Sequence, residues 1–397
     1  AVSVGEVRVL APLIDRLAEA GDVDLVISST TRTGLELARR QYGRHHVIPF
    51  PLDFSWSVRR AFDRIRPDLV VLAELELWPN FLRRADRLGI PVALINGRLS
   101  DRSFRGYRRL RWVLAPTFGR LALVAAQSTR DARRFGQLGI PPGRIAVTGS
   151  LKFDGAPPGR NMPETAALAK WARLDENDVV FCAGSTQEGE EAMALAVFQK
   201  LRGRFDRLRL LLVPRHPERF ERVARLLEAS GIPWARRSCD PDGGKPVVLV
   251  DTVGELRAWW GTAAIAYVGG TMGPREGQNM IEPAACGAAT CFGPRTGNFR
   301  DVVAQLRSAD AAVVVKDQDE LERFVRRCLE DPSYACELGR RARDVVERNR
   351  GAAEKTLAAL GPLLPTGRTG ETRIDPSARK HPPVRALPGR GATESFC

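Results

Sequence analysis

Histidine is scarce in this sequence, and the spacings that bind metal ions or nucleotide phosphates through side chains are missing. The 397 residues include four histidines, two of them adjacent at His45 and His46, so a His-rich metal site is not expected. The seven cysteines are scattered and form no C-x-x-C pair, which indicates reduced thiols and excludes a disulfide framework or zinc site. No G-x-x-x-x-G-K-[ST] loop occurs, and no Asp-x-Asp pair stands out as a metal-diphosphate site.

Long apolar runs are also missing. No run reaches the length that spans a membrane, and no secretory signal peptide is visible. The stretch from Ala1 to Glu6 has the pattern of a strand end and the turn after it, with too little chain before Gly5 to form that strand. We therefore expect that the chain is shortened at its N-terminus. The absence of a membrane anchor from this sequence is then weak evidence about the parent protein.

A hydrophobic content of 44% is typical of a globular protein. A chain of 397 residues is too long for one ordinary hydrophobic core, so two domains are expected. The net charge of +14 predicts acidic partners, which include nucleic acid, an anionic membrane surface and a phosphorylated substrate. Such a charge could equally serve solubility alone.

Apolar runs of strand length alternate with segments of helical spacing along both halves of the chain. The alternation predicts an α/β protein of two Rossmann-like, doubly wound domains that face a central cleft. The predicted strands are residues 23–28, 47–51, 69–73, 92–95, 121–126, 179–183, 208–213, 247–250, 264–268 and 311–315. The predicted helices include residues 8–20, 33–42, 55–66 and 81–88, and residues 319–348 are also predicted to be helical.

The Gly- and Pro-rich stretch 155–163 is expected to join an N-terminal domain, residues 1–155, to a C-terminal domain, residues 163–330. A C-terminal helix within 331–360 could cross back to the first domain. Residues 361–397 are rich in Pro, Gly and Arg with few large apolar side chains, and we expect them to be disordered.

One stretch in the second half, Tyr267 to Gly287, has the pattern of an anion site. A predicted strand ends in Gly269 and Gly270, a Gly- and Pro-rich loop follows, and a helix is predicted to begin through Glu282 and Pro283. Free N–H groups and the helix dipole attract negative charge at such a point. Glu282 could hold a ribose diol, so the stretch indicates a nucleotide-bearing donor.

Other polar loops follow predicted strand ends, where ligands bind in open α/β sheets. Glu6 lies at a strand-to-helix turn; its spacing favours a carboxylate that stabilises the first helical turn over a general base. Glu74 and Glu76 flank Leu75, and successive residues point alternately if the segment is extended. One glutamate could meet a sugar hydroxyl, and the other could bind a helix cap. Lys152 and Arg215 are cations that could face a phosphate or carboxylate, and the loop Gly184-Ser-Thr186 could bind phosphate through N–H groups.

An arginine-rich stretch follows Asn96-Gly-Arg-Leu-Ser100. Its arginines at 105, 108, 109 and 111 are interleaved with Phe104, Tyr107 and Trp112. The pattern fits either a solvated helix face or a platform for the phosphates of a lipid or nucleic acid. No RRM, zinc finger or similar nucleic-acid module is visible.

The ordered set of loops resembles the Kdo (3-deoxy-D-manno-octulosonic acid) transferases, glycosyltransferase family 30. The matching stretches run in family order over roughly residues 1–300: Ser3-Val-Gly-Glu6, Glu74-Leu-Glu-Leu-Trp-Pro-Asn80, Asn96-Gly-Arg-Leu-Ser100, Gly149-Ser-Leu-Lys-Phe-Asp154, Gly184-Ser-Thr-Gln-Glu-Gly-Glu190, Val213-Pro-Arg-His-Pro-Glu-Arg219, Gly254-Glu-Leu256, and Gly269-Gly-Thr271 through Asn279 to Glu282-Pro-Ala284. Each stretch alone is a weak indication of the family, but the ordered set of stretches is specific for it.

The resemblance implies a GT-B fold and an inverting transfer of Kdo from CMP-Kdo to the lipid A precursor (lipid IVA), with no metal and no cofactor. It implies that Glu6 is the catalytic base, against the first-turn interpretation that spacing favours. The implied donor-binding residues are Lys152, Gly184, Ser185, Thr186, Arg215, His216, Gly254, Glu255, Leu256, Gly269, Gly270, Thr271, Asn279 and Glu282. The implied acceptor-binding residues are Glu74, Glu76, Asn96, Arg98, Ser100 and Arg102.

The sequence departs from the family pattern at Gln187, where histidine is common, at Val253, where methionine is common, and at Gly97, a usual alanine. Family members usually begin with an apolar anchor and a basic segment. We expect attachment to the cytoplasmic face of the inner membrane, an anionic surface, and no nucleic-acid partner. The alternatives are another GT-B enzyme with a UDP-sugar, a transferase or epimerase, and a non-catalytic basic protein that binds nucleic acid or anionic lipid.

Overall fold

The computed structural model describes residues 3–20, 23–75 and 77–364. These residues form two compact units: residues 3–149 with 353–364 make the first, and Ser150–Ala352 makes the second. The predicted tail from 361 lies mostly outside the described residues.

The first unit alternates helices with short strands. Its elements are α1 (Val4–Ala20), β1 (Val26–Ser29), α2 (Arg32–Tyr42), β2 (His46–Pro49), α3 (Ser55–Ile65), β3 (Val70–Ala73), α4 (Pro79–Arg87), β4 (Val92–Gly97), α5 (Asp101–Arg109), α6 (Arg111–Phe118), β5 (Leu123–Ala126), α7 (Thr129–Gln137) and β6 (Ile145–Val147). A 3₁₀ turn, Pro142–Arg144, precedes β6.

The strands of the first unit are all parallel, as predicted, but they form two ladders. The strands β1 and β2 pair with each other, and a four-stranded sheet has the order β3-β4-β5-β6. The main core packs Leu94 and Val124 of the sheet against Phe81, Phe118 and Phe135 of the surrounding helices.

The second unit is a larger α/β sandwich. Its elements are α8 (Pro163–Trp171), β7 (Val179–Thr186), α9 (Glu190–Arg202), β8 (Leu208–Pro214), α10 (Phe220–Ala229), β9 (Trp234–Arg236), β10 (Val247–Leu249), α11 (Leu256–Thr262), β11 (Ile265–Val268), α12 (Ile281–Ala285), β12 (Ala289–Phe292), α13 (Arg300–Ser308), β13 (Val313–Val314), α14 (Gln318–Glu330) and α15 (Pro332–Asn349).

All seven strands of this unit are parallel, in the order β13-β12-β11-β7-β8-β10-β9. Side chains alternate between the two faces of a strand, and both faces are buried here. On β8, Leu210 and Leu212 pack into one core cluster, whereas Leu211 and Val213 pack into the other. The parallel α/β class predicted from the sequence is therefore confirmed.

The helical segment predicted over 319–348 consists of two helices, because α14 ends at Glu330 and α15 begins at Pro332. Pro332 has no N–H to donate, so it suits the first position of a new helix. The Asp331 side chain accepts a hydrogen bond from the N–H of Tyr334 at 2.9 Å and caps that helix. A last helix, α16 (Ala352–Leu360), belongs almost entirely to the first unit, where Glu354 lies 4.0 Å from Arg16 of α1.

The helix α15 approaches the loop before β12 so closely that only glycine fits at one position. A Cβ atom on Gly339 would lie 2.1 Å from the carbonyl oxygen of Gly287. We predict that Gly339→Ala lowers the free energy of unfolding by about 1–3 kcal/mol, because overpacking forces the backbone apart. Denaturant unfolding followed by tryptophan fluorescence measures this loss.

The matched control is Gly203→Ala. Gly203 ends α9 with a φ of −67°, and a Cβ there would meet no atom within 4 Å. Its unfolding midpoint should stay close to that of the unchanged chain, and equal midpoints for both variants would contradict the close approach.

Candidate functional site

The predicted donor-binding residues of the second unit converge on one edge of its sheet. Because β7 lies between β8 and β11, the loops that leave these strands are neighbours at their carboxyl ends. We call residues 184–191, 215–219, 251–256 and 269–282 the donor loops. They carry the predicted Gly184, Ser185, Thr186, Arg215, His216, Gly254, Glu255, Leu256, Gly269, Gly270, Thr271, Asn279 and Glu282.

The end of β7 is shaped by Gly184 and Ser185. A Cβ on Gly184 would lie 2.4 Å from the Trp260 ring and 2.8 Å from Leu256 Cδ1, so this glycine is required for packing. Ser185 has a φ of 55°, in the left-handed region, where the register between β7 and β8 shifts. The bulge turns the partly exposed Ser185 out of the regular ladder at the edge where ligands bind.

The N–H groups after β11 do form an anion site, but a carboxylate of the same chain fills it. We call the N–H groups of Gly270, Thr271 and Met272 the anion nest. They donate to the Glu190 carboxylate at 2.7, 3.1 and 3.1 Å. Glu190 also accepts from the Gln187 N–H at 2.8 Å and from the Tyr267 hydroxyl at 3.0 Å.

Sequence reasoning gave no role to Glu190, which is 2% exposed at the start of α9. The sequence pattern that could have identified it is a pair of acidic residues directly after a glycine loop, at a helix start, where the helix dipole favours negative charge. The predicted phosphate contacts of Gly270 and Thr271 through their N–H groups would require Glu190 to release them. The N–H of Gly269 donates to the Gly184 carbonyl, so it too is bonded within the chain.

The neighbouring carboxylate, Glu191, links the end of β7 to the segment after β8. It accepts from the Thr186 hydroxyl at 3.0 Å and from Arg219 at 2.8 Å. Burial raises the pKa of Glu191 above its usual value, although the hydrogen bonds and the Arg219 charge oppose that shift. Adjacent acids at the start of α9 therefore hold the ends of β7, β8 and β11.

Arg215 leaves the end of β8 with an exposed guanidinium group. Its Nε donates to Gln278 of the loop after β11 at 3.2 Å, and its N–H donates to the Thr186 carbonyl at 3.0 Å. The arrangement places a cation between two donor loops, where it can meet a phosphate. His216 follows, with Nδ1 3.9 Å from Glu218.

Asn279 and Glu282 lie together at the start of α12. The Asn279 amide donates to Glu282 Oε1 at 3.0 Å, and its Oδ1 accepts from the Ile281 N–H at 3.0 Å. The amide thus orients the carboxylate predicted to hold a ribose. Lys152 is near the same loops: its Nζ donates to the Asn298 carbonyl at 3.3 Å and lies over the Phe299 ring at 5.1 Å.

Glu255 is held by Arg237, which donates to both carboxylate oxygens at 2.9 and 3.0 Å. The Thr252 hydroxyl donates at 2.6 Å. Burial raises the pKa of Glu255, but these hydrogen bonds outweigh it and hold the pKa below its usual value. The charged carboxylate braces Leu256 at the start of α11, beside an exposed Gly254 with a φ of 101°.

In the first unit, Glu6 lies in the first turn of α1, partly buried, and its N–H donates to Ser3 Oγ at 3.3 Å. Both interpretations of this carboxylate, as helix stabiliser and as base, fit that position. The start of the described chain is therefore helical, not the strand end and turn expected from the sequence.

The predicted acceptor residues lie at the ends of the neighbouring strands β3 and β4 or after them, with Asn96 inside β4. Glu74 has a φ of 56°, so the backbone is not extended at this residue. Glu76 lies outside the described residues. Asn96 is 1% exposed, Arg98 is partly buried, Arg102 is exposed, and Ser100 caps α5 through the Ser103 N–H at 3.1 Å.

Known proteins resemble this chain along nearly its whole length. A family model described as 3-deoxy-D-manno-octulosonic-acid transferase (kdotransferase) matches residues 1–155. The 3-deoxy-D-manno-octulosonic acid transferase of Haemophilus influenzae is 32% identical over 92% of this chain and 86% of its own length. That of Bordetella pertussis is 35% identical over 91% of this chain and 85% of its own.

Among solved structures, a UDP-N-acetylglucosamine 2-epimerase matches at a TM-score of 0.60 with 13% identity, over 94% of this chain and 96% of its own. A glycosyltransferase from Rickettsia africae matches at 0.59 with 14% identity, over 92% and 97%. These likenesses show the fold, which is GT-B with two Rossmann-like domains. With the sequence similarity above, they lead to one conclusion: the chain belongs to the Kdo transferase family and is a glycosyltransferase.

Proposed function

We propose that the chain transfers Kdo from CMP-Kdo to the lipid A precursor, with inversion at the anomeric carbon, in lipopolysaccharide core biosynthesis. The observation that carries this proposal is the identity of 32–35% to Kdo transferases over more than nine-tenths of the chain. The loops at one edge of the second unit's sheet support a nucleotide site there.

In the proposed reaction, Glu6 takes the proton of an acceptor hydroxyl as that oxygen attacks the anomeric carbon. The bond from that carbon to the CMP phosphate breaks, and CMP leaves with the electron pair. A carboxylate in a first helical turn stays ionised, because the helix dipole favours its negative charge. It can therefore accept a proton at neutral pH.

The donor would be held by the second unit. Glu282, oriented by Asn279, would bind the ribose hydroxyls, and Glu255 with Leu256 would face the cytosine. Because the anion nest is filled by Glu190, the phosphate would fall to Arg215 and Ser185. Lys152 would meet the Kdo carboxylate. The remaining donor loop residues would shape the pocket.

The acceptor would lie on the first unit. Glu74 follows β3, Asn96 lies near the end of the adjacent strand β4, and Arg98, Ser100 and Arg102 continue from β4 into α5. Arginine forks suit the phosphates of a lipid A precursor, and carboxylate and amide groups suit its sugar hydroxyls.

We further propose peripheral attachment to the anionic cytoplasmic face of the inner membrane. Along the described chain, no helix combines the length and the apolar character needed to cross a bilayer. The helix α5 buries no residue, and the segment through α6 exposes Leu110 by 54%, Trp112 by 81% and Val113 by 51%. Exposed arginines surround these apolar groups: Arg102, Arg105, Arg108, Arg109 and Arg111. We call these eight residues the arginine surface.

Replacement of the base should separate chemistry from binding. We predict that Glu6→Gln lowers the turnover number for Kdo transfer by about 10²–10⁴-fold, because general base catalysis is lost, while the affinity for CMP is retained. Product mass spectrometry after incubation with CMP-Kdo and a tetra-acylated lipid A precursor measures the transfer, and calorimetry measures CMP binding.

The control is Glu36→Gln, which alters an exposed carboxylate of α2 paired with Arg32. It should transfer at the rate of the unchanged chain. Substantial turnover by the Glu6 variant would remove Glu6 as the base, and tighter binding of UDP than of CMP would overturn the donor assignment itself.

Membrane binding should depend on Trp112. We predict that Trp112→Ser weakens binding to phosphatidylglycerol vesicles several-fold, since an interfacial tryptophan and nearby arginines act together at an anionic surface. Vesicle flotation with phosphatidylglycerol and with phosphatidylcholine measures the effect. The control Val253→Ser changes a side chain that is 79% exposed in the second unit and should bind normally. Equal binding by both variants would reject the arginine surface.

A further inference from the structure

The Glu190 carboxylate sits where the sequence pattern predicts a phosphate. It joins the start of α9, the strand β11 and the loop after β11 through its hydrogen bonds to Gln187, Tyr267 and the anion nest. Residue packing leaves no space between them. A Cβ on Gly269 would lie 2.7 Å from Glu190 Oε2 and 2.5 Å from the Cα of Thr186.

The nest is thus occupied from inside the fold. Gly270 has a φ of 68°, which lets successive N–H groups point into one concavity. Such a concavity binds an anion whether it comes from a ligand or from the chain. Of the ion pairs among the described residues, none includes Glu190, so its charge is balanced by N–H and hydroxyl dipoles and not by a cation.

A nucleotide that binds beside this carboxylate meets different conditions for its first and second phosphates. The first phosphate can be met by the exposed guanidinium of Arg215, which lies between the loops after β8 and β11. A second phosphate would need further donors, and the N–H groups of the anion nest already donate to Glu190. It would also face the buried negative charge of Glu190, and juxtaposed like charges are strongly unfavourable.

From this geometry we propose that Glu190 is a positioning and specificity residue: by filling the anion nest it fixes the donor loop and restricts the site to nucleoside monophosphate donors, against nucleoside diphosphates. The inference rests on the proposed function, because it takes the edge of the second unit's sheet as the donor site. It adds a reason why this GT-B chain would take CMP-Kdo and not a UDP-sugar.

The test compares CMP with CDP, which share a base and a ribose and differ by one phosphate. Calorimetric titration of the full chain should give a dissociation constant for CDP at least about tenfold above that for CMP. Glu190→Gln removes the charge and sets an amide N–H₂ against N–H donors. It should weaken CMP binding by about tenfold and bring the CDP-to-CMP ratio of dissociation constants close to one.

The matched variant is Tyr267→Phe, which deletes the one hydroxyl donor and keeps the charge and the N–H bonds of Glu190. It should lower the thermal midpoint and keep both the CMP affinity and the ratio. Glu330→Gln changes an exposed carboxylate at the end of α14 that is paired with Arg204, away from the donor loops, and should alter neither. If Glu190 were merely structural, the Glu190 and Tyr267 variants would lose stability alike and both would keep the ratio.

Each outcome bears on the inference. A ratio near one in the unchanged chain overturns it even if the Glu190 variant does not fold, and so does a ratio that Glu190→Gln leaves unaltered. If the unchanged chain transfers Kdo while either of these results is found, the proposed function stands and this inference alone falls. If the unchanged chain binds UDP and CDP more tightly than CMP, both fall together.

Discussion

The hydrogen bonds of one buried carboxylate hold together the edge of the second unit where we propose that the nucleotide binds. Glu190 gathers donors from three segments, and Glu191 beside it binds Thr186 and Arg219. The topology makes this possible. The strand β7 lies between β11 and β8, so the helix that follows β7 begins next to both neighbouring loops. One helix start can then brace three strand ends, and the dipole of that helix favours the two negative charges.

The same constraint explains the glycines of the stretch that resembles an anion site. Glycine allows a backbone to approach a phosphate, and that is the usual reason for a Gly-rich loop after a strand. Here Gly269 and Gly270 allow the backbone to approach Glu190, since a Cβ on Gly269 would overlap its carboxylate. Gly184 leaves room for Trp260 in the same way. A glycine after a strand is the same sequence signal whether the backbone approaches a phosphate or a side chain of the same chain. Here the groups approached are the side chains of Glu190 and Trp260.

Much of the fold could be predicted from the sequence because both faces of each central strand are buried, which gives continuous apolar runs such as Leu210 to Val213. Short elements were missed. The strands β6 and β9 have three residues each, too few for a periodic pattern, and β12 follows α12 with little punctuation. The sequence analysis did not predict the break between α14 and α15, although Asp331-Pro332 is a helix-start signal. The helical spacing of apolar residues continues on both sides of this pair and conceals the signal.

The candidate site was predictable in position but not in its bonding. Strand ends locate the donor loops, since ligands bind beyond the carboxyl ends of parallel strands. Which anion fills a nest depends on contacts between residues about eighty positions apart, as Glu190 and Gly270 are, and no local pattern records them. The left-handed backbone at Glu74 and Ser185 was likewise invisible, because neither residue type favours it.

Two glutamates at helix starts have different surroundings, and we propose the role of base for only one of them. The oxygens of Glu190 accept hydrogen bonds from Gln187, Tyr267 and the three N–H groups of the anion nest in a buried site. That carboxylate holds the surrounding segments together. Glu6 shares the helix-start location, but its side chain is only partly buried in the first turn of α1. Helix stabilisation and the proposed role as base are compatible there, because the helix dipole favours the anion and the anion is the form that accepts a proton.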